Sequence, residues 1–380
     1  MRWLLLFIFW GLWFLNFSAR VIPSPVLPLI ESELMLSHAK AGGLFTFLNA
    51  GYAFSLLIGG SLAPRVGYKR IIIGGFICSS AAFFTIQYAH SYAQLALLFL
   101  FVGLGCGVYL PSIIPMITEA FAREHWGKAI GIHDTGASLS IFSIPILVAI
   151  GLNMVPWRKL FLLLCLASAV VLALFWIVSE EPQHEKAVGR AAPMEILRKK
   201  SLWPIMLLWV FAGASCLGMY SIIPLFLVNE RGVSLDLANT IFGISRLGGI
   251  AISIVAGFLV DRLGIRPMLF WTLLLTGLST MGVATVKLFH LLVGVLFFQA
   301  TVALGFFPVA LAAISRLTSP SERSLAMGII LSAGIIFGVG ITPYILGAIA
   351  DRADFQTGIL LLGILTTVSS FSVKYVRNAR

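Results

Sequence analysis

The chain has 380 residues, of which 59% are hydrophobic and 11% charged, and its mean hydropathy is +1.01; in soluble proteins about a quarter of residues are charged, so this composition belongs in a bilayer. A net charge of +11 often accompanies nucleic-acid binding, but here the basic residues sit in short segments between apolar runs, a membrane-topology pattern that argues against nucleic acid as a partner. At about 20 apolar residues per spanning helix, the length suits an all-α membrane protein of twelve spans with no separate soluble domain.

Arg2 precedes an apolar run over 3–15 with no small-residue cleavage site behind it, and apolar character continues past Arg20 to Ile30, which predicts an uncleaved first helix. Pro23, Pro25 and Pro28 are expected to break or kink its outer part. Further spans are predicted at 42–62, 71–88, 92–117, 128–152 and 159–178. The one substantial polar connection, 179–201, follows, and it separates residues 1–178 from residues 202–380. Spans seven to twelve are predicted at 202–228, 237–260, 268–286, 291–317, 325–350 and 356–373. Of the 26 Lys and Arg, 18 fall in the segments that are inside if the N-terminus is inside, six fall outside, and Arg20 and Arg246 lie within spans. This bias predicts cytoplasmic N- and C-termini in a cytoplasmic membrane. Cys78, Cys106, Cys165 and Cys216 each stand alone in an apolar run, so neither a disulfide nor a metal site is expected.

The segment GSLAPRVGYKR from Gly60 to Arg70 returns as GFLVDRLGIRP from Gly257 to Pro267, an offset of 197 residues (257 − 60). Pro111 precedes Gly131 by 20 residues, and Pro308 precedes Gly328 by the same 20. The chain therefore reads as two halves of one design. The pattern Gly257, Asp261, Arg262, Gly264 and Arg266 between two apolar spans resembles the loop signature of the major facilitator superfamily, and Gly60, Arg65, Gly67, Lys69 and Arg70 repeat it with Pro64 in place of the acid. The resemblance implies a secondary transporter of twelve transmembrane helices in two pseudo-symmetric six-helix halves. In it Gly60, Arg65, Gly67, Gly257, Asp261, Arg262 and Gly264 form cytoplasmic gating loops, and the solute is driven by an ion gradient, with protons the expected ion and no bound cofactor.

Polar groups inside spans are costly and mark function. Arg246 lies about 15 Å into its span, some ten residues at 1.5 Å each, and 11 residues before Gly257; Asn49 lies 11 before Gly60, so the two are repeat equivalents. Arg20, with Asn16 one turn below it, is the second intramembrane cation. An Arg in span one followed by a proline-rich stretch, with Tyr52 eight residues before Gly60, is similar to the organic-anion symporters of the superfamily, which implies that Arg20 and Tyr52 contact a carboxylate. Phe99 and Cys106 depart from that pattern, standing where such members have an Arg and a protonatable Glu. His133 and Asp134 are candidates for proton coupling, because both side chains can change charge and their repeat equivalents are Ile330 and Leu331. Gln299, Tyr109 and Tyr220 are candidate hydrogen-bonding groups.

These residues point to transport of a small organic anion, a carboxylate above all, bound by Arg20, Asn49, Tyr52, Tyr220, Arg246 and Gln299. The competing readings are an efflux antiporter for lipophilic compounds, which wants an intramembrane acid among aromatic rings, and a non-transporting membrane receptor on the same fold. No nucleophile, base and orienting acid occur together, so no enzyme is expected, and no G-x-x-x-x-G-K-[ST] supplies an ATP-driven route. The expected partners are the solute and the lipid bilayer, with the chain a monomer.

Overall fold

The computed structural model describes residues 2–181, 196 and 198–376; the side chains of residues 250, 253, 254, 257, 261, 320, 321 and 324 lie outside the description. The described residues are helices and short connections, and eleven helices among them are long and apolar enough to cross a membrane. They are α1 (Arg2–Glu33), α2 (His38–Val66), α3 (Tyr68–Tyr88), α4 (Tyr92–Ala120), α5 (Arg123–Leu152), α6 (Trp157–Val178) and α7 (Trp203–Arg231). After them come α9 (Ile265–Thr285), α10 (Phe289–Leu317), α11 (Leu325–Ala350) and α12 (Phe355–Tyr375). The eighth expected span, α8, is two pieces, Leu235–Ile244 and Gly248–Leu263, neither long enough alone. The prolines of α1 act as expected: the regular helix ends at Val21, and a second piece starts with Pro23 in its first turn, where a missing N–H costs nothing.

Two compact units emerge. One comprises Met1–Leu36, Phe47–Ala187 and Leu235–Thr240; the other comprises Ser37–Thr46, Val188–Ser234 and Ile241–Arg380. Helix pairs recur in each: α1 packs on α5 as α7 does on α11, and α3 packs on α6 as α9 does on α12.

Within each unit the repeat offset of 197 reaches down to single contacts. On one face the Lys69 ammonium donates to the carbonyls of Trp176 and Ser179 at 2.7 and 2.6 Å, capping the end of α6. Arg266, its repeat equivalent, donates through Nε to the carbonyl of Val376, the equivalent of Ser179, at the end of α12. Cations placed on the carboxyl ends of helices satisfy orphan carbonyls and the helix dipole together. On the other face Glu33 accepts from Trp157 Nε1 at 2.7 Å and from Arg158 Nη1 at the start of α6. Glu230, 197 residues later, accepts from the backbone N–H of Phe355 at the start of α12. Each unit is thus fastened at both ends by the same pairs of positions.

The start of α11 carries a pH-sensitive tie. Lys199 donates to Glu322 at 2.6 Å, and the Ser319 hydroxyl joins it, so that the Glu322 carboxyl is pushed down to about 2. A lowered carboxyl stabilises fully above its ordinary range and stops doing so only as pH falls through its folded value. Glu322→Gln is therefore expected to lower the thermal midpoint of the detergent-solubilised protein by a small amount that stays constant from pH 8 to 5 and shrinks as pH falls toward 2. A difference that grew on acidification would contradict the assignment.

Candidate functional site

The two pieces of α8 meet at residues 245–247, where the backbone ladder shortens to three-residue steps. Arg246 N–H donates to Gly243 O, Leu247 N–H to Ile244 O and Gly249 N–H to Arg246 O, each at 3.1 Å. Opposite this break α7 contains a π-helical turn, Ala214–Gly218. Such a turn inserts a residue and takes carbonyls out of the regular register. The Cys216 carbonyl accepts from Arg246 Nη2 at 2.8 Å, and its thiol sulfur lies 3.7 Å from Nη1. The guanidinium lies over Tyr220, with Cζ 3.6 Å from the ring centroid, and the Phe242 centroid is 6.0 Å away. Tyr220 is held in turn by its hydroxyl, which donates to Leu296 O at 2.6 Å. Arg246 is only 4% exposed, yet its Nε has no hydrogen-bond partner. Gln299 is fully buried beside the same turn. Its amide N–H groups go to Ser215 O at 3.1 Å and to Thr280 Oγ1 at 3.0 Å. Thr280 already donates to Thr276 O, so the amide orientation is fixed and Oε1 is left as an acceptor with no donor.

In the first half Arg20 is half-buried, with Cζ 3.9 Å from the Tyr52 ring centroid and 4.8 Å from that of Phe17. Its Nε is likewise unpartnered. Tyr52 is buried, as is Asn49 one turn before it. Asn16 ties α1 to α4 by donating to Cys106 O at 3.0 Å. Each half therefore holds one guanidinium on one tyrosine, but with the partners exchanged. The cation sits on α1 and the ring on α2 in the first half, while the ring sits on α7 and the cation on α8 in the second. The repeat offset places Arg246 at Asn49, one turn from Tyr52, and Tyr220 at Pro23, one turn from Arg20. Among the described residues neither guanidinium meets a carboxylate.

The candidate proton residues diverge, as their angular separation of about 100° on a helix requires. His133 is sealed, 1% exposed, with Nε2 3.1 Å from the Tyr109 hydroxyl, which also donates to Phe9 O at 2.8 Å. Asp134 is exposed, and its Oδ1 accepts from Trp13 Nε1 at 3.2 Å. The indole ring is stacked on both Tyr109 and His133, with centroids 5.3 and 5.4 Å away. The partner of Asp134 is thus an indole on α1, while Lys128 lies over the Trp3 ring.

The two signature loops turn at Gly67 and Gly264, whose φ angles of 110° and 85° favour glycine. Glu181 packs against Gly67 and accepts from the Lys69 backbone N–H at 3.3 Å. Arg65 and Arg262 are exposed in the last turns of α2 and of α8, and Gly60 is exposed with open space where a side chain would go. The surroundings of Gly257 and the Asp261 side chain lie outside the description, as do Lys186, Arg190, Arg377 and Arg380.

The family model described as Major Facilitator Superfamily matches residues 9–289 and again 219–379. The chain belongs to the major facilitator superfamily. Among curated members, a hexuronate transporter of Bacillus subtilis strain 168 is 24% identical over 65% of this chain and 61% of its own length, so the alignment spans less than two thirds of that relative. A 3-(3-hydroxy-phenyl)propionate transporter of Escherichia coli K12 is 25% identical over 69% of this chain and 66% of its own length. An MFS-type efflux pump of Mycolicibacterium smegmatis is 26% identical over 92% of this chain and 84% of the relative. Among solved structures, a bacterial homologue of the human lysosomal transporter Spinster superposes with a TM-score of 0.86 at 16% identity, covering 99% and 96% of the two chains. The D-xylose-proton symporter does so at 0.82 and 15%, covering 99% and 98%. At these identities the structures establish the fold.

Within this superfamily member the sequence-level candidates did not include Trp13, Phe17, Ser215 or Thr280, which hold the named residues in place. Residues 13, 17 and 20 share one helix face, a spacing visible in the sequence. The role of the Cys216 carbonyl depends on a π-helical turn, for which a run of small and apolar residues carries no signal.

Proposed function

We propose that this chain is a secondary active transporter of a small organic anion, a carboxylate, working by alternating access and driven by a proton gradient. It acts as a monomer in the cytoplasmic membrane with both termini in the cytoplasm. The observation that supports this most is one guanidinium per half, inside the spans and without a carboxylate partner among the described residues. A charge taken out of water needs a counter-charge, and a transported carboxylate is a counter-charge that a guanidinium can bind. The solutes named for two relatives, a hexuronate and a hydroxyphenylpropionate, are both carboxylates. Planar guanidinium groups suit them, since they bind a carboxylate through two parallel hydrogen bonds.

One observation favours a second reading, export of lipophilic cations. Asp134 is an exposed intramembrane acid, its carboxylate bonded to Trp13, and Trp10 bonds the neighbouring Thr135; an efflux pump is among the relatives. Counterflow in liposomes separates the two. Labelled glucuronate and 3-(3-hydroxyphenyl)propionate are expected to exchange, and labelled tetraphenylphosphonium is expected not to. The opposite pattern would replace the anion reading by the export reading.

A further inference from the structure

Asp134 and Arg20, the candidate proton and anion residues of the first half, are joined by an unbroken run of contacts along one face of α1. Trp13 Nε1 bonds Asp134 at 3.2 Å. The Trp13 and Phe17 rings meet edge to face, with centroids 4.8 Å apart. The Phe17 ring lies 4.8 Å from Arg20 Cζ, and the Tyr52 ring lies 3.9 Å from it. Residues 13, 17 and 20 are spaced i, i+4 and i+7, so the helix itself keeps them in line. We propose that Trp13 and Phe17 couple these two sites, so that a proton on Asp134 and an anion at Arg20 strengthen each other's binding. The inference rests on the organic-anion reading above.

The coupling is electrostatic. An ionised Asp134 offsets part of the positive potential that Arg20 offers an anion, and a protonated one does not. Trp13 and Arg20 are seven residues apart, about 11 Å along the helix. For two charges separated by a distance on that order, at an effective dielectric of about 20, one unit charge changes affinity about tenfold. Linkage makes the factor the same in both directions. Trp13 is buried and Phe17 half-buried between the two sites, so ring atoms take up space that water would otherwise fill, and the indole N–H holds the carboxylate at the end of the ladder. Other groups that bear on it are few. Around Asp134 stand His133 and Tyr109, sealed under Trp13, with Lys128 drawn to Trp3. Around Arg20 stand Tyr52 and, on α4, Cys106. The α6 segment packed on α1 carries no charged residue between Lys159 and Glu180.

The test is exchange of labelled glucuronate by full-length protein in liposomes, with equal pH on both sides, at pH 5.5 and 7.5. In the unaltered protein KM is expected to rise about tenfold between these values while kcat changes little. Asp134→Asn should hold the low KM at both. Phe17→Ala should shrink the rise below about threefold, and Trp13→Phe, which keeps a ring but removes the N–H, should fall between. A full rise surviving in Asp134→Asn places the proton elsewhere and overturns the proposal, and a full rise in Phe17→Ala overturns the ladder. Absence of carboxylate exchange in the unaltered protein overturns the anion reading and this inference together. Exchange that is pH-independent in the unaltered protein overturns the inference alone.

Discussion

Arg246→Ala should reduce carboxylate exchange by at least about a hundredfold while the protein remains monodisperse in detergent. Two charge-assisted hydrogen bonds at about 1.5 kcal/mol or more each account for that factor. Folding should survive because the substitution removes a buried cation rather than exposing one. The carbonyl it leaves, that of Cys216, is a single weak loss. Arg246→Lys should land between, about tenfold down. An ammonium keeps the charge but lacks the planar, delocalised guanidinium that sits over Tyr220, and it cannot grip a carboxylate with two parallel bonds. Exchange kinetics on reconstituted variants of equal thermal stability decide the matter. Normal exchange by the alanine variant would remove Arg246 from the site.

Gly103→Ala should be the more damaging change for folding, although Gly103 lies outside the loop signature. A Cβ there would stand 1.9 Å from Leu48 O and 2.8 Å from Tyr52 N, so α2 and α4 would have to separate. Backbone cannot give way as a side chain does, and a loss of about 3 kcal/mol or more is expected. Because the displaced strip of α2 carries Asn49 and Tyr52, binding at Arg20 should fall as well. Gly60→Ala, at the first residue of the loop signature, should do the reverse. Nothing lies within 4 Å of the added carbon, and the gain in helix propensity stabilises by up to about 1 kcal/mol. Thermal unfolding of both variants in the same detergent provides the comparison. A Gly103→Ala protein as stable as its parent would mean that α2 and α4 do not cross this closely.

The fold was legible because it is written twice. The 197-residue offset, the apolar run lengths and the placement of Lys and Arg are all local properties, and the family match confirms the fold and membership they implied. That Arg246 lies inside the eighth apolar stretch was also legible, and the structure buries it there. What it does to its own helix was not. Residues 237–260 read as one apolar run, and the break at 245–247 comes into view only with the π-helical turn of α7 that faces it. The same limit applies to Asp134. Its neighbours in sequence include a basic loop, whereas its hydrogen bond comes from Trp13, 121 residues away. Pairings between distant helices depend on crossing geometry, which a hydrophobic pattern specifies only to the level of a face.

The interruption of α8 bears on how the chain enters the membrane during synthesis. An arginine at the centre of a helix opposes insertion by about 3 kcal/mol, and the two pieces of α8 are each too short to cross alone. The groups that receive the guanidinium, Cys216 and Tyr220, belong to the helix made immediately before. Helices α7 and α8 therefore form a natural insertion unit, with the preceding helix acting as an internal chaperone for the one that follows.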